Sequence, residues 1–164
     1  MVGQYRNELT FPFKRYQIQP AFRAENPQKG RYREFLQCDA DIFGVDSPLA
    51  DAEMIALSLD IYKSIGFGEA RVLINDRALL KDFPYEAIVV IDKLKKIGTA
   101  GVLAEMQKKG IEKTLAEGYL ETITNLRPNK TIEIKLDYLK NLGFPKNWYR
   151  FDPTIARSFS YSTG

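Results

Sequence analysis

Two stretches of alternating residues, separated by a charged loop, constrain the fold of this chain most strongly. Residues 14–24 place apolar side chains at every second position, and residues 34–43 repeat that pattern. A period of two is typical of β-strands with one apolar face and one polar face. Because only residues 25–33 separate the stretches, we predict that the two strands form an antiparallel pair.

The polar sides of the two predicted strands carry basic, acidic and amide side chains. If the strands pair, Gln19 and Arg23 lie on the same side of the sheet as Gln37, Asp39 and Asp41. A sheet face with fixed polar groups can bind a polar ligand, while the opposite face is expected to pack on helices. The predicted apolar face consists of Tyr16, Ile18, Pro20, Phe22, Leu36, Cys38, Ala40 and Ile42, and we expect Cys38 to be buried there.

The loop between the strands is basic. It contains Lys29, Arg31 and Arg33, and Phe35 follows at the start of the second strand. Guanidinium groups suit phosphates or carboxylates, and an aromatic ring can stack on a nucleobase. The alternation and the charged loop alone are explained more simply by a hairpin whose loop and polar face are exposed to solvent. The residue types instead fit a ligand that combines phosphates, a base and a cationic amine.

The rest of the chain combines helical patterns with short β-type segments. Ser47 followed by proline indicates a helix start, and residues 76–128 and 132–142 have helical patterns, although the alternation of Ile132 and Ile134 also fits a strand. Residues 70–75 and the aromatic segment from Asn147 predict strands. The sum is an α+β chain, with antiparallel strands at both ends and a helical block between them.

Composition limits the chemistry that these elements can perform. The chain has 164 residues, 45% of them hydrophobic, which is typical of one soluble globular domain. It contains no histidine, which excludes Ser-His and Cys-His catalysis and imidazole zinc sites. Its single cysteine cannot form an intrachain disulfide, which suits a cytoplasmic protein, and no apolar run reaches the length of a membrane span. We expect no metal-ligating cluster.

Several segments resemble one enzyme family in the order in which they occur. FRAENPQKGRYREFLQ, at residues 22–37, resembles motif 2 of class II aminoacyl-tRNA synthetases. The segments that follow are similar to histidyl-tRNA synthetases in particular, and the last of them resembles the histidine-binding motif of that family. These segments are CDADIFG at 38–44, LADAEMIALSLDIYKSIGF at 49–67, INDRALL at 74–80, VIDKLKKIG at 90–98 and DPTIARSFSYSTG at 152–164.

The resemblance implies that the motif 2 region binds ATP. Arg23 would hold the α-phosphate, and Phe35 would stack on adenine. Glu25 would meet the adenine or the tRNA 3′ end, and Arg31 or Arg33 would touch the outer phosphates or the acceptor stem.

The resemblance also implies a histidine site and a catalytic arginine. Gln37 and Asp41 would bind the amino group and imidazole of the substrate, and Tyr161 would line the same pocket. Arg157 would lie near the reacting carboxylate and phosphate, so Arg23 and Arg157 are the expected catalytic residues. The chain departs from the family at Asp41, where glutamate is usual, and at Ser158 and Ser162, which replace a glycine and a tyrosine.

The resemblance implies a partial class II catalytic core with an antiparallel sheet, flanking helices and a helical insertion. We expect residues 1–82 and 130–164 to form the partial core and residues 83–129 to form the insertion. The implied function is ATP-dependent activation of histidine and its transfer to histidine-specific tRNA, with ATP and Mg²⁺ as cofactors and a homodimeric parent enzyme. Motifs 1 and 3 are not recognised, so we expect an internal segment that is a poor catalyst and a weak dimer alone.

Two other functions fit parts of the pattern. A non-catalytic paralogue, such as the regulatory subunit of ATP phosphoribosyltransferase, would tolerate Ser158 and Ser162. A plain RNA-binding module would not need acids and amides aligned behind Arg23. The lysines of the helical block form either a solvated surface or a contact with the tRNA acceptor stem. They are Lys93, Lys95, Lys96, Lys108, Lys109 and Lys113.

Overall fold

The two alternating stretches form an antiparallel hairpin, as predicted. In the computed structural model, which describes residues 2–156, strand β1 (Phe13–Phe22) pairs along its whole length with strand β2 (Glu34–Phe43). Gln17 lies opposite Asp39, and Gln19 lies opposite Gln37. This register places the polar side chains of both strands on one face of the hairpin.

Helices follow the hairpin, beginning with α1 (Pro48–Ser64). The hydroxyl of Ser47 accepts a hydrogen bond from the backbone N–H of Leu49 at 3.2 Å, which caps α1 as the sequence predicted. The later elements are β3 (Val72–Ile74), a 3-10 helix (Arg77–Leu80), α2 (Tyr85–Ile91), α3 (Leu94–Lys108), α4 (Lys113–Asn125), α5 (Lys130–Asn141) and β4 (Tyr149–Phe151). Helix α3 has a kink at Gly98, whose φ of 68° is a conformation that glycine adopts readily.

The second pair of strands differs from the expected antiparallel arrangement. β3 and β4 pair in parallel, with Val72 opposite Tyr149 and Ile74 opposite Phe151. A parallel pair needs a long crossover connection, and helices α2 to α5 provide it here. Helix α5 packs against α1, where the exposed Asp51 pairs at 2.6 Å with the buried Lys135.

The hydrophobic core consists of two clusters. The first joins α2, α3 and α4, and its fully buried members include Val90, Val102 and Ile123. The second joins α1, α5, β3 and β4, and includes Leu59 and Leu139. Burying each such side chain stabilises the fold by about 1.5–3 kcal/mol. The division into a core of residues 1–82 and 130–164 and a helical insertion of residues 83–129 stays a prediction.

The apolar face of the hairpin is exposed, which contradicts the expectation that helices cover it. Tyr16 is 80% exposed, Phe22 74% and Leu36 66%. Cys38, which we expected to be buried, is also exposed. Helix α1 reaches only part of this face and leaves a groove of about 620 Å³. Alternation predicts that a strand is two-faced, but it does not reveal whether another element covers the apolar face.

None of the helices within residues 2–156 is long and apolar enough to cross a membrane.

Candidate functional site

The polar face of the hairpin carries a row of side chains that contact one another. Arg15 lies opposite Asp41, and its Nε is 3.0 Å from Asp41 Oδ2. The N–H bond is not directed at this oxygen, so the contact is an ion pair rather than a hydrogen bond. Arg15 Nη2 donates a hydrogen bond to Gln17 Oε1 at 2.9 Å. The guanidinium therefore holds groups from both strands.

Gln37 and Asp39 form the next step of this row. The amide Nε2 of Gln37 donates to both carboxylate oxygens of Asp39, at 2.9 and 3.1 Å. Both side chains are half-buried, so these polar groups are partly withdrawn from water. The structure thus places the predicted residues Gln37 and Asp41 on one face, four residues apart along β2. Each is engaged by a different neighbour.

Arg15 is the residue that our sequence analysis missed. It occupies the same polar face as Gln17 and Gln19, so the alternation of β1 already contained the signal. Its partner Asp41 is the group predicted to meet the substrate imidazole. A carboxylate that contacts a guanidinium is oriented by it, which suits an acceptor for an N–H donor.

The basic loop is ordered by its own ion pair and hydrogen bonds. Glu25 pairs with Arg31, and the backbone carbonyl of Glu25 accepts a hydrogen bond from Arg33 Nε at 3.2 Å. The loop turns at Gly30, whose φ is 77°. The hydrogen bond from Arg31 is the main cause that lowers the pKa of the Glu25 carboxyl, with the charges of Arg31 and Arg23 adding to it.

Arg23 and Phe35 meet where the loop joins the hairpin. The guanidinium carbon of Arg23 lies 4.4 Å from the centre of the Phe35 ring, a cation–π contact. The backbone N–H of Arg23 donates to the carbonyl of Arg33 at 2.8 Å, which fixes the base of the loop. The structure therefore brings together the residue predicted to hold phosphate and the ring predicted to stack on adenine.

Three of the six lysines singled out in the helical block form ion pairs with other residues of the 2–156 range. Lys93 contacts Glu105 at 2.6 Å, and Lys113 lies 3.8 Å from Glu117. Lys95 contacts Asp152, outside the helical block, at 2.6 Å. Among residues 2–156, no group of three or more histidine, cysteine or acidic side chains is placed to hold a metal ion. The predicted site residues Arg157 and Tyr161, with Ser158 and Ser162, lie outside the described residues.

Comparison with known proteins identifies the class to which this hairpin and its helices belong. The family model for the class II tRNA synthetase core domain (G, H, P, S and T) matches residues 2–136. The chain therefore belongs to the class II tRNA synthetase core-domain family. The predicted fold class, an α+β core of this type, is confirmed.

Within this class the chain is similar to histidine–tRNA ligases, as the sequence resemblance predicted. The ligase of Cytophaga hutchinsonii is 47% identical over 97% of this chain, and that of Christiangramia forsetii is 37% identical over 99%. The crystal structure of histidyl-tRNA synthetase from Nostoc sp. PCC 7120 matches 95% of this chain with a TM-score of 0.77 and 27% identity. The chain spans only 42% of the two ligases and 43% of the Nostoc chain.

Proposed function

We propose that this chain forms part of the catalytic core of a histidine–tRNA ligase. The observation that carries the proposal is the placement of one row of groups on the polar face of a motif 2 hairpin. Arg23 and Phe35 stand at the loop end, and Gln37, Asp39 and Asp41 follow along β2. The relatives named as histidine–tRNA ligases support this reading over a regulatory paralogue.

The proposed reaction needs no nucleophile from the protein. A carboxylate oxygen of histidine attacks the α-phosphorus of ATP, and pyrophosphate leaves as the bond to the β-phosphate oxygen breaks. A terminal ribose hydroxyl of tRNA then attacks the histidyl carbonyl, and AMP leaves. Catalysis of such steps rests on positioning and on stabilising negative charge. A site rich in arginine and free of histidine suits this chemistry.

The described residues divide these tasks along the hairpin. Arg23 supplies positive charge for the α-phosphate, and the Phe35 ring beneath it offers an aromatic surface for the purine. Arg31 is paired with Glu25, so contact with the outer phosphates or with tRNA requires it to exchange partners. Asp41, oriented by Arg15, accepts an N–H of the substrate imidazole, and Gln37 faces the substrate amine.

The described residues do not form a group of side chains that would bind Mg²⁺. Asp39 is engaged by Gln37 and Asp41 by Arg15, and no further acidic side chain among residues 2–156 joins them in a metal-binding group. Mg²⁺ is commonly bound through substrate phosphates with few protein ligands. We therefore assign no step of the reaction to a metal held by these residues.

The proposal is tested by histidine-dependent exchange of pyrophosphate into ATP, measured with the enzyme that contains this chain. We expect exchange with histidine and none above background with glycine, proline, serine or threonine, the other substrates of this family. Exchange that is absent with every amino acid, together with retained histidine binding, would instead support the regulatory paralogue. RNA binding with neither exchange nor histidine binding would support the RNA-binding module.

A further inference from the structure

The segment between β4 and Arg157 is held by the side chain of Asn75, just after β3. Its Nδ2 donates one hydrogen bond to the carbonyl of Pro153 at 3.1 Å and a second to the carbonyl of Ile155 at 2.9 Å. Asn75 is 78 and 80 residues away from these carbonyls along the chain. One amide group therefore fixes two points of a segment that has no regular secondary structure.

Asp152 fixes the start of the same segment. It is 7% exposed, and its Oδ1 accepts hydrogen bonds from the backbone N–H and hydroxyl of Thr154 at 3.1 and 2.6 Å. Its Oδ2 lies 2.6 Å from Lys95 Nζ and 3.7 Å from Arg150 Nη2. The backbone N–H of Asp152 donates to the carbonyl of Ile74 at 2.9 Å. Buried carboxylates need such partners, and this one has them on both oxygens.

The far end of the segment is anchored in the helical block. Ala156 is 2% exposed and belongs to the cluster formed by α2, α3 and α4. The ion-pair partner of Asp152, Lys95, is also on α3. Residues 152–156 therefore bridge the β3–β4 pair and the helical block, with contacts to both.

We propose that Asn75, Lys95 and Asp152 are positioning residues for histidine activation. They fix the conformation of residues 153–156, and thereby the point from which the chain continues into Arg157 and the rest of the proposed histidine-binding motif. The inference rests on the proposed function, and it assigns roles to residues outside the polar face of the hairpin. Because Lys95 belongs to α3, its ion pair with Asp152 also makes the placement of residues 153–156 depend on the helical block.

The main test is a split between the kinetic constants for histidine and ATP in the enzyme that contains this chain. Asn75→Ala removes both donors to the segment, and we expect about a tenfold rise in the KM for histidine in pyrophosphate exchange. The KM for ATP should change less than about twofold, since the ATP groups lie on the hairpin. A general loss of folding would lower the active fraction and leave both KM values unchanged.

Conservative variants distinguish the effect of the Lys95–Asp152 ion pair from that of the hydrogen bonds between Asp152 and Thr154. Asp152→Asn retains an oxygen that can accept from Thr154 but loses the ionic contact with Lys95, so its effect should be smaller than that of Asp152→Ala. Lys95→Met and Asp152→Asn should be non-additive when combined, as expected for residues in direct contact. Lys81→Met, at an exposed lysine, is the matched control and should leave both KM values at the parental level.

Hydrogen exchange tests the structural part independently of activity. The backbone N–H of Thr154 donates to the carboxylate of Asp152, and that of Ile155 donates to the backbone carbonyl of Asp152. Asp152→Ala removes the first bond and loosens the turn that holds the second, so hydrogen exchange should accelerate strongly at Thr154 and less at Ile155. Parental histidine KM in both Asn75→Ala and Asp152→Ala would overturn the positioning role while leaving the proposed function intact. A parental enzyme without histidine-dependent pyrophosphate exchange would overturn the proposed function itself, whatever the hydrogen exchange of Thr154 and Ile155 shows.

Discussion

Arg23 is the single side chain on which the proposed chemistry depends most among the described residues. Its guanidinium rests on the Phe35 ring, a contact that orients the charge without neutralising it. A neighbouring carboxylate would have competed with phosphate for the guanidinium. The carboxylate of Glu25 is paired with Arg31 instead, so it does not occupy the guanidinium of Arg23.

We predict that Arg23→Ala lowers the rate of histidine activation by about 10²–10³, by analogy with the removal of one oxyanion-hole donor. Arg157→Ala should have a similar effect. Histidine-dependent pyrophosphate exchange measures both, and Arg6→Ala, at an exposed arginine, is the control. A near-parental rate in Arg23→Ala would remove this residue from the proposed mechanism.

Asp152 is also expected to make stability depend on pH. Burial opposes ionisation, but hydrogen bonds from Lys95 and Thr154 outweigh it and lower the pKa of Asp152 below its ordinary value. A carboxyl with a lower pKa in the folded state contributes stability above its unfolded pKa, and loses it as pH falls through the folded pKa. We predict that the free energy of unfolding declines below about pH 4 and that Asp152→Asn flattens this decline. Urea unfolding between pH 3 and 7 measures this decline. Equal slopes of the unfolding free energy against pH in the parental protein and in Asp152→Asn would contradict the prediction.

The hairpin, at the level of elements, shows what sequence patterns can and cannot predict. Alternation predicted β1, β2, their antiparallel pairing and the shared polar face, because these follow from side-chain direction in a strand. Our assignment of polar side chains on the first strand named Gln19 and Arg23 and missed Arg15, although the same period includes it. The parallel pairing of β3 with β4 was not predicted, since two three-residue strands so far apart carry no local signal of their partner.

The cross-strand pair of Arg15 and Asp41 gives a prediction at this scale. Asp41→Ala should weaken histidine binding and leave ATP binding nearly unchanged, because Asp41 lies several residues along β2 from Phe35. Titration calorimetry with each ligand separately measures both effects. Arg15→Gln should weaken histidine binding less, since it disturbs the orientation of Asp41 but retains the carboxylate. Equal losses for histidine and ATP in Asp41→Ala would indicate that the pair supports the sheet rather than the substrate.

At the scale of the whole molecule, the polar face of the hairpin is better covered than the apolar face. Gln37 and Asp39 are half-buried, whereas Ile18 is 61% exposed. Large exposed apolar patches mark interaction surfaces or sites of aggregation. The alternation of the two strands therefore predicts an apolar face. It does not predict whether another element packs on that face, because this depends on residues outside the strands.

We predict that this chain self-associates through the apolar face when it is expressed alone. Ile18→Thr combined with Phe22→Thr should shift sedimentation towards the monomer and reduce binding of a hydrophobic dye, because threonine keeps β-propensity while removing apolar area. Leu115→Gln, at a similarly exposed leucine on α4, is the control and should leave association unchanged. A parental chain that sediments as a monomer and binds no dye would contradict the prediction.

Because Cys38 is exposed, a probe can be attached to its thiol without other changes to the chain. It is the only cysteine in the sequence and it borders the groove between the hairpin and α1. A fluorophore coupled to its thiol therefore reports from one known position, with no other cysteine to remove first. Quenching or anisotropy of such a probe would follow the covering of this face in real time.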